Sequence, residues 1–232
     1  MTIQELAAAA EEMNIELTAD MQKDLLRYAE MLADWNQRMN LTSITELEEV
    51  MEKHFLDCIL PLGRTDIHGA VCDVGSGAGF PGLVWAILRR DLKITLLEPT
   101  GKRCTFLRAV CQELSLDNVT IVNDRAENYA GIHREIFDAV TARAVAALPV
   151  LCELCIPLVR KGGIFLAMKG SLAVEECAAA AHAYEVLGCA QPELIQMSLP
   201  TAGERILAVS VKTGTTPAKY PRAFGAIKKK PL

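Results

Sequence analysis

The amino-acid sequence predicts an α/β protein: a mixed, mostly parallel sheet that ends in an antiparallel hairpin, with a cap of helices ahead of it. Three observations carry this. The first 60 residues place apolar side chains at helical spacing. From Ala70 onward, short apolar runs alternate with helical stretches in the rhythm of βαβ units. Near the C-terminus, residues 194–199 and 206–211 alternate apolar and polar positions on either side of a break rich in turn residues.

Residues 2–13 are rich in Ala and acids and read as a first helix. After Thr18, the apolar positions Met21, Leu25, Tyr28, Leu32, Trp35 and Met39 recur at steps of three and four, which lines one buried face and makes Tyr28 and Trp35 core residues. Residues 40–43 connect to a third helix over 46–59, where Thr45 and Glu48 have capping-box spacing and Pro61 and Gly63 close the end. Strands follow at 71–74, 94–97, 119–122, 137–141 and 164–168, with helices near 83–89, 102–114, 145–159 and 172–187. The hairpin has a five-residue connection, 200–204. With no internal repeat and no linker, residues 1–60 are expected to pack as a cap on a body of 61–211, with a tail, 212–232, continuing from the last strand.

A chain of 232 residues that is 51% hydrophobic and 23% charged, with 10 prolines, supports a full apolar core and excludes disorder as its dominant state. Its eight cysteines fall mostly inside apolar runs without a regular framework, which fits a reducing cytoplasmic setting. Cys152 and Cys155 lie in a predicted helix without a second pair, so no metal is expected. No apolar run reaches the roughly 18–20 residues of a membrane span. The net charge of −5, taken as one number, speaks against a polyanionic partner, but it is unevenly spread. Residues 1–60 hold 4 basic against 13 acidic side chains, 61–211 hold 14 against 16, and 212–232 hold 6 against none. Because fields are screened over about 8–10 Å, such a tail can still form a local phosphate-binding patch.

The first predicted strand runs into Asp73-Val74-Gly75-Ser76-Gly77-Ala78-Gly79-Phe80-Pro81-Gly82. Small residues here let backbone approach a ligand, the following helix start offers N–H groups, and Glu98 at the end of the next strand is placed to hold ribose hydroxyls. Gly77, Gly79 and Gly82 also match the dinucleotide fingerprint, so the glycines alone leave both an NAD-binding oxidoreductase and an S-adenosylmethionine fold open. Asp73 and the terminal hairpin favour the latter. A second polar cluster, Asp124, Arg125, Glu127, Thr141 and Arg143, follows the third and fourth strands on the same sheet edge. Arg143, between apolar segments, needs a buried acid or an anionic ligand.

Motifs along nearly the whole chain resemble the family of bacterial 16S ribosomal RNA guanine-N7 methyltransferases, also called glucose-inhibited division protein B. They include Trp35-Asn36, Asn40-Leu41-Thr42, His54 with Asp57, the run from Asp73 to Gly82, Lys102-Arg103, Arg125-Ala126-Glu127, Ala142-Arg143-Ala144, Lys169-Gly170, Tyr220-Pro221-Arg222 and Pro231-Leu232. The resemblance implies a class I, Rossmann-like methyltransferase that uses S-adenosyl-L-methionine. Its target would be N7 of guanine 527 in the 530 loop of 16S rRNA, free or in the small ribosomal subunit. It implies that Asp73, Gly75, Ser76, Gly77, Gly79, Phe80, Glu98, Ala126, Glu127 and Arg143 contact the cofactor, with Arg143 also at the methyl-transfer region as the catalytic candidate. Arg143, Lys169, Lys219, Tyr220, Arg222, Lys228, Lys229 and Lys230 are the expected RNA contacts, the lysines and arginines by charge. A monomer is expected; His54 receives no role.

Overall fold

The computed structural model describes residues 1–232. Its centre is a seven-stranded sheet of β1 (Ala70–Val74), β2 (Lys93–Leu97), β3 (Val119–Val122), β4 (Phe137–Arg143), β5 (Val159–Lys169), β6 (Glu193–Leu199) and β7 (Gly203–Val211), in the order β3-β2-β1-β4-β5-β7-β6. Strands β1 to β5 pair in parallel, and β7 runs antiparallel to both its neighbours. The strand order reverses between β1 and β4, and the crevice beyond their carboxyl ends is where such sheets bind ligands.

Alternation along the strands divides the core in two. Val71, Ile94, Leu96, Ala139 and Leu166 face the N-terminal helices and share a core with Leu6, Leu25, Tyr28, Phe55 and Trp85. Cys72, Val74, Val140, Ala142 and Phe165 face the other way, against Leu151, Tyr184 and Ile227. Asp73, Thr141 and Arg143 keep the period of Val71 and Ala139, so they turn toward the N-terminal helices.

Helix α1 (Ile3–Glu11) starts in a capping box between Thr2 and Glu5. Helix α2 (Ala19–Met39) buries Leu25, Tyr28, Ala29 and Leu32 and ends at Asn40 in the left-handed conformation. The predicted third helix is irregular: α3 (Leu47–Val50), a π-helical turn over Met51–Leu56, α4 (Asp57–Ile59) and a 3-10 turn over Leu60–Gly63. Its N-cap is Glu46 without a side-chain bond, so the expected Thr45 capping box does not form. The π turn is a frequent feature of functional sites, and here Glu52, His54 and Asp57 are all buried in or beside it.

On the body, α5 (Gly82–Leu88) follows β1 and α6 (Gly101–Glu113) follows β2. A short helix α7 (Ala126–Ile132), which the sequence does not predict, joins β3 to β4; its polar, glycine-containing sequence gives no amphipathic signal. Helix α8 (Leu148–Cys155) is shorter than expected because a 3-10 turn containing Pro157 ends it, and β5 begins at Val159 rather than 164. Gly163 permits that early start, since a Cβ there would lie 2.6 Å from the Asp138 carbonyl oxygen. The last predicted helix divides at Ala180 into α9 (Ala173–Ala179) and α10 (Ala181–Leu187). The hairpin pairs as far as Leu199 with Gly203, so its connection is shorter than the expected five residues. Glu52 holds that turn through the N–H groups of Thr201 and Ala202 and the Thr201 hydroxyl.

The C-terminal residues are fastened to the body and end in α11 (Phe224–Lys229). Lys212 is buried against Glu135, Thr216 and the Ile156 carbonyl. Arg134 donates to the carbonyls of Thr216 and Tyr220, and Arg222 grips the fully buried Glu153 through its backbone N–H and guanidinium. No helix is long and apolar enough to cross a membrane.

Candidate functional site

The turn after β1 needs its glycines. Gly75, Gly77 and Gly79 all have positive φ, and a Cβ on Gly75 would lie 2.7 Å from Val145 Cγ2. Glu98 spans the turn: its carboxylate accepts from Gly77 N–H at 2.9 Å and Thr100 N–H at 2.8 Å, and Arg103 stands 3.9 Å away. Asp73 is fully buried, accepts from Gly82 N–H through Oδ2 at 3.0 Å, and has no partner at Oδ1. Burial pushes its carboxyl up to about 7, against the smaller opposing effects of the Gly82 bond and Arg143. An unsatisfied buried acceptor is costly, and a ligand amine or water would satisfy Oδ1. Farther along the edge, Gly75, Leu97, Ala126, Glu127 and Val145 surround a cavity of about 150 Å³ with mostly apolar walls. The arrangement fits a ligand with a cationic amine at one end and an apolar ring system at the other.

Arg143, the last residue of β4, stands over the ring of Phe80. Its Nη1 donates to Asp57 Oδ2 at 2.6 Å and to the Lys53 carbonyl at 3.2 Å, and its Nη2 donates to His54 Nδ1 at 2.8 Å. Three of five donors are thus used, leaving Nε–H and one Nη2–H free. Phe80 lies beneath this group, 5.1 Å from the Arg143 guanidinium and 4.3 Å from the centre of the His54 ring. His54 Nε2 is 2.9 Å from Thr42 Oγ1, and Asn36 holds the Thr42 backbone through both its N–H and its carbonyl. Burial, and then Arg143, bring the His54 imidazole down to about 3, so it is neutral near pH 7. Asp57 also binds Arg205 of β7, Nε to Oδ1 at 3.1 Å. These groups border an open cavity of about 400 Å³, whose rim also carries Lys53 and Lys169.

The structure therefore gathers Asp73, Gly75, Ser76, Gly77, Gly79, Phe80, Glu98, Ala126, Glu127 and Arg143 along one sheet edge. Among the expected RNA contacts, Lys219, Lys228, Lys229 and Lys230 are exposed. Three are placed otherwise. Lys169 donates to Glu176 at 2.8 Å and the Ala146 carbonyl at 2.7 Å, so its charge steadies the loop after β4. Tyr220 is buried, and Arg222 is committed to Glu153, because a buried carboxylate needs a cation more than the surface does. The sequence marks Asp57 only as part of a motif and carries no signal for Arg205, Glu176 or Phe224.

This sheet order, with its one reversed strand and glycine turn, is that of the class I S-adenosylmethionine-dependent methyltransferases. Among solved structures, cofactor-bound Rv0187 from Mycobacterium tuberculosis superposes with a TM-score of 0.56 at 18% identity, covering 81% of this chain and 89% of that one. The YcgJ protein of Bacillus subtilis gives 0.53 at 13% identity, covering 69% of this chain and all of the other. Both likenesses concern the fold. The family model GidB, rRNA small subunit methyltransferase G, matches residues 21–203. The ribosomal RNA small subunit methyltransferase G of Staphylococcus aureus strain JH9 is 44% identical over 236 aligned positions, covering 100% of this chain and 99% of its own. The chain belongs to the GidB family of small-subunit ribosomal RNA methyltransferases, and it is an S-adenosylmethionine-dependent enzyme. The NAD-dependent alternative that the glycines left open is thereby set aside.

Proposed function

We propose that this enzyme methylates N7 of guanine 527 in the 530 loop of 16S rRNA, with the cofactor across the glycine turn and the guanine in the 400 Å³ cavity beside Arg143. Bound S-adenosylmethionine supplies a methyl group already activated on a sulfonium. The observation that carries the choice of N7 is that neither candidate base beside Arg143 is available to take a proton. The His54 Nδ1 lone pair is occupied by Arg143, and Asp57 is shared between two arginines. Guanine N7 has an in-plane lone pair and needs no deprotonation. Transfer would form the N7–C bond as the C–S bond breaks, with the electron pair passing to sulfur and the positive charge to the guanine.

The chain's contribution is then position and electrostatics. Asp73 Oδ1 would accept from the methionine ammonium, Glu98 would exchange the Gly77 N–H for ribose hydroxyls, and Ala126 and Glu127 would border the adenine. Arg143, locked by Asp57 and His54, offers its free donors to guanine O6 or a phosphate, since a bond to N7 would block the nucleophile. The deciding experiment transfers labelled methyl to small-subunit rRNA, free and assembled, and maps the nucleotide. We expect 7-methylguanosine at 527; label on another atom or nucleotide would overturn the assignment. Arg143→Ala should lose transfer rate far more than cofactor affinity.

A further inference from the structure

The 150 Å³ cavity beside Ala126 and Glu127 has one wall from an unexpected part of the chain: the aromatic ring of Phe224, at the start of α11. We infer that Phe224 is a cofactor-contacting residue, closing this cavity over the adenine of S-adenosylmethionine, so that the C-terminal segment retains cofactor in addition to its expected role at RNA. The inference rests on the reading above in which Ala126 and Glu127 border the adenine.

Several contacts hold Phe224 there. Arg222, two residues earlier, is fastened to the buried carboxylate of Glu153 on α8. Ile227, three residues later, is fully buried in the core on that side of the sheet. The guanidinium of Arg125, directly before Ala126, lies 5.7 Å from the centre of the Phe224 ring, a cation–π contact that links α11 to the β3–α7 junction. Leu97, Ala126, Val145 and Leu154 complete an apolar enclosure, and an aromatic ring suits a purine because every base presents a π-face. The segment is thus placed by anchors outside the cavity, while the one aromatic residue between those anchors borders it.

The test is calorimetric titration of the full-length protein with S-adenosylhomocysteine and with 5′-methylthioadenosine, which keeps the adenosine but lacks the amino-acid end. Phe224→Ala should weaken both ligands by about tenfold, the scale of one lost base–aromatic contact. Phe224→Trp, which keeps an aromatic wall, should stay within about threefold of the parent chain and guards against a tail that merely loosens. Glu127→Ala, run in parallel, reports on the underlying reading. Unchanged affinity in Phe224→Ala with weakened affinity in Glu127→Ala would overturn the role of Phe224 alone. Unchanged affinity in both would overturn the nucleoside placement itself. Equal losses in Phe224→Ala and Phe224→Trp would also count against an adenine contact.

Discussion

His54 Nδ1 accepts a hydrogen bond from Arg143 Nη2 at 2.8 Å, and this fixes the imidazole tautomer. Arginine has only donors, so the ring proton of neutral His54 sits on Nε2 and points at Thr42 Oγ1. Protonating Nδ1 would break the Arg143 bond and set two cations together. The native imidazole titrates at about 3 against an ordinary value near 6.5, so between these values the unfolded chain binds the extra proton. Its contribution to stability is complete above about pH 6.5 and is lost as pH falls toward 3, with a slope of up to ~1.4 kcal/mol per pH unit. His54→Gln retains an acceptor for Arg143 and removes the titration. Urea unfolding from pH 4 to 7 should show a flatter acid limb in the variant; parallel curves would refute the neutral, Arg143-bound imidazole.

Asp73 acts in the opposite direction. Its native carboxyl is raised to about 7, so the folded chain holds a proton that the unfolded chain has lost above about 4. Stability from this group is full below pH 4 and declines as pH rises toward 7. Asp73→Asn keeps an oxygen for the Gly82 N–H and should gain stability relative to the parent chain as pH rises. Binding an ammonium at Oδ1 expels the proton, so affinity for S-adenosylhomocysteine should tighten from pH 6 to 8 in the parent chain. Isothermal titration across that range checks it, and a pH dependence that survives in Asp73→Asn would place the proton elsewhere.

What the sequence made legible was local. Positive φ demands glycine, so Gly75, Gly77 and Gly79 announced their turn, and period-two alternation placed most strands within a few residues. Contacts between distant segments were not legible: Asp57 meets Arg205 across 148 positions, and Phe224 reaches the β3–α7 junction only through the folded tail. The tail shows the same limit. Six cations without an acid read as a local phosphate-binding patch, yet Lys212 and Arg222 are committed to Glu135 and Glu153. One signal was present: Glu153 is the only acid in the apolar run Leu148–Cys155, and a carboxylate in such a helix calls for a cation.

That pairing can be measured. Arg222→Ala leaves the fully buried Glu153 without its cation, and removing one member of a buried pair costs about 3–5 kcal/mol. Replacing both, as Arg222→Met with Glu153→Leu, removes the stranded charge and should recover most of the loss. Chemical denaturation of the three chains decides it; a double variant as unstable as Arg222→Ala would show that the pair itself, rather than the unpaired acid, sets the cost.

With Lys212 and Arg222 committed internally, the expected RNA-binding charge of the tail narrows to Lys219, Lys228, Lys229 and Lys230. The last three are exposed at the end of α11, the helix that also carries Phe224. Each phosphate contact releases counterions, so losing three should reduce the slope of log affinity against log salt by about 2–3. Replacing Lys228, Lys229 and Lys230 with Gln should weaken binding to a 530-loop RNA most at low salt. Affinity for S-adenosylhomocysteine should stay unchanged, because no charge is removed from the cavity wall. Equal RNA affinity and slope in the two proteins would move the RNA-binding surface to the rim of the Arg143 cavity, where Lys53 and Arg205 stand.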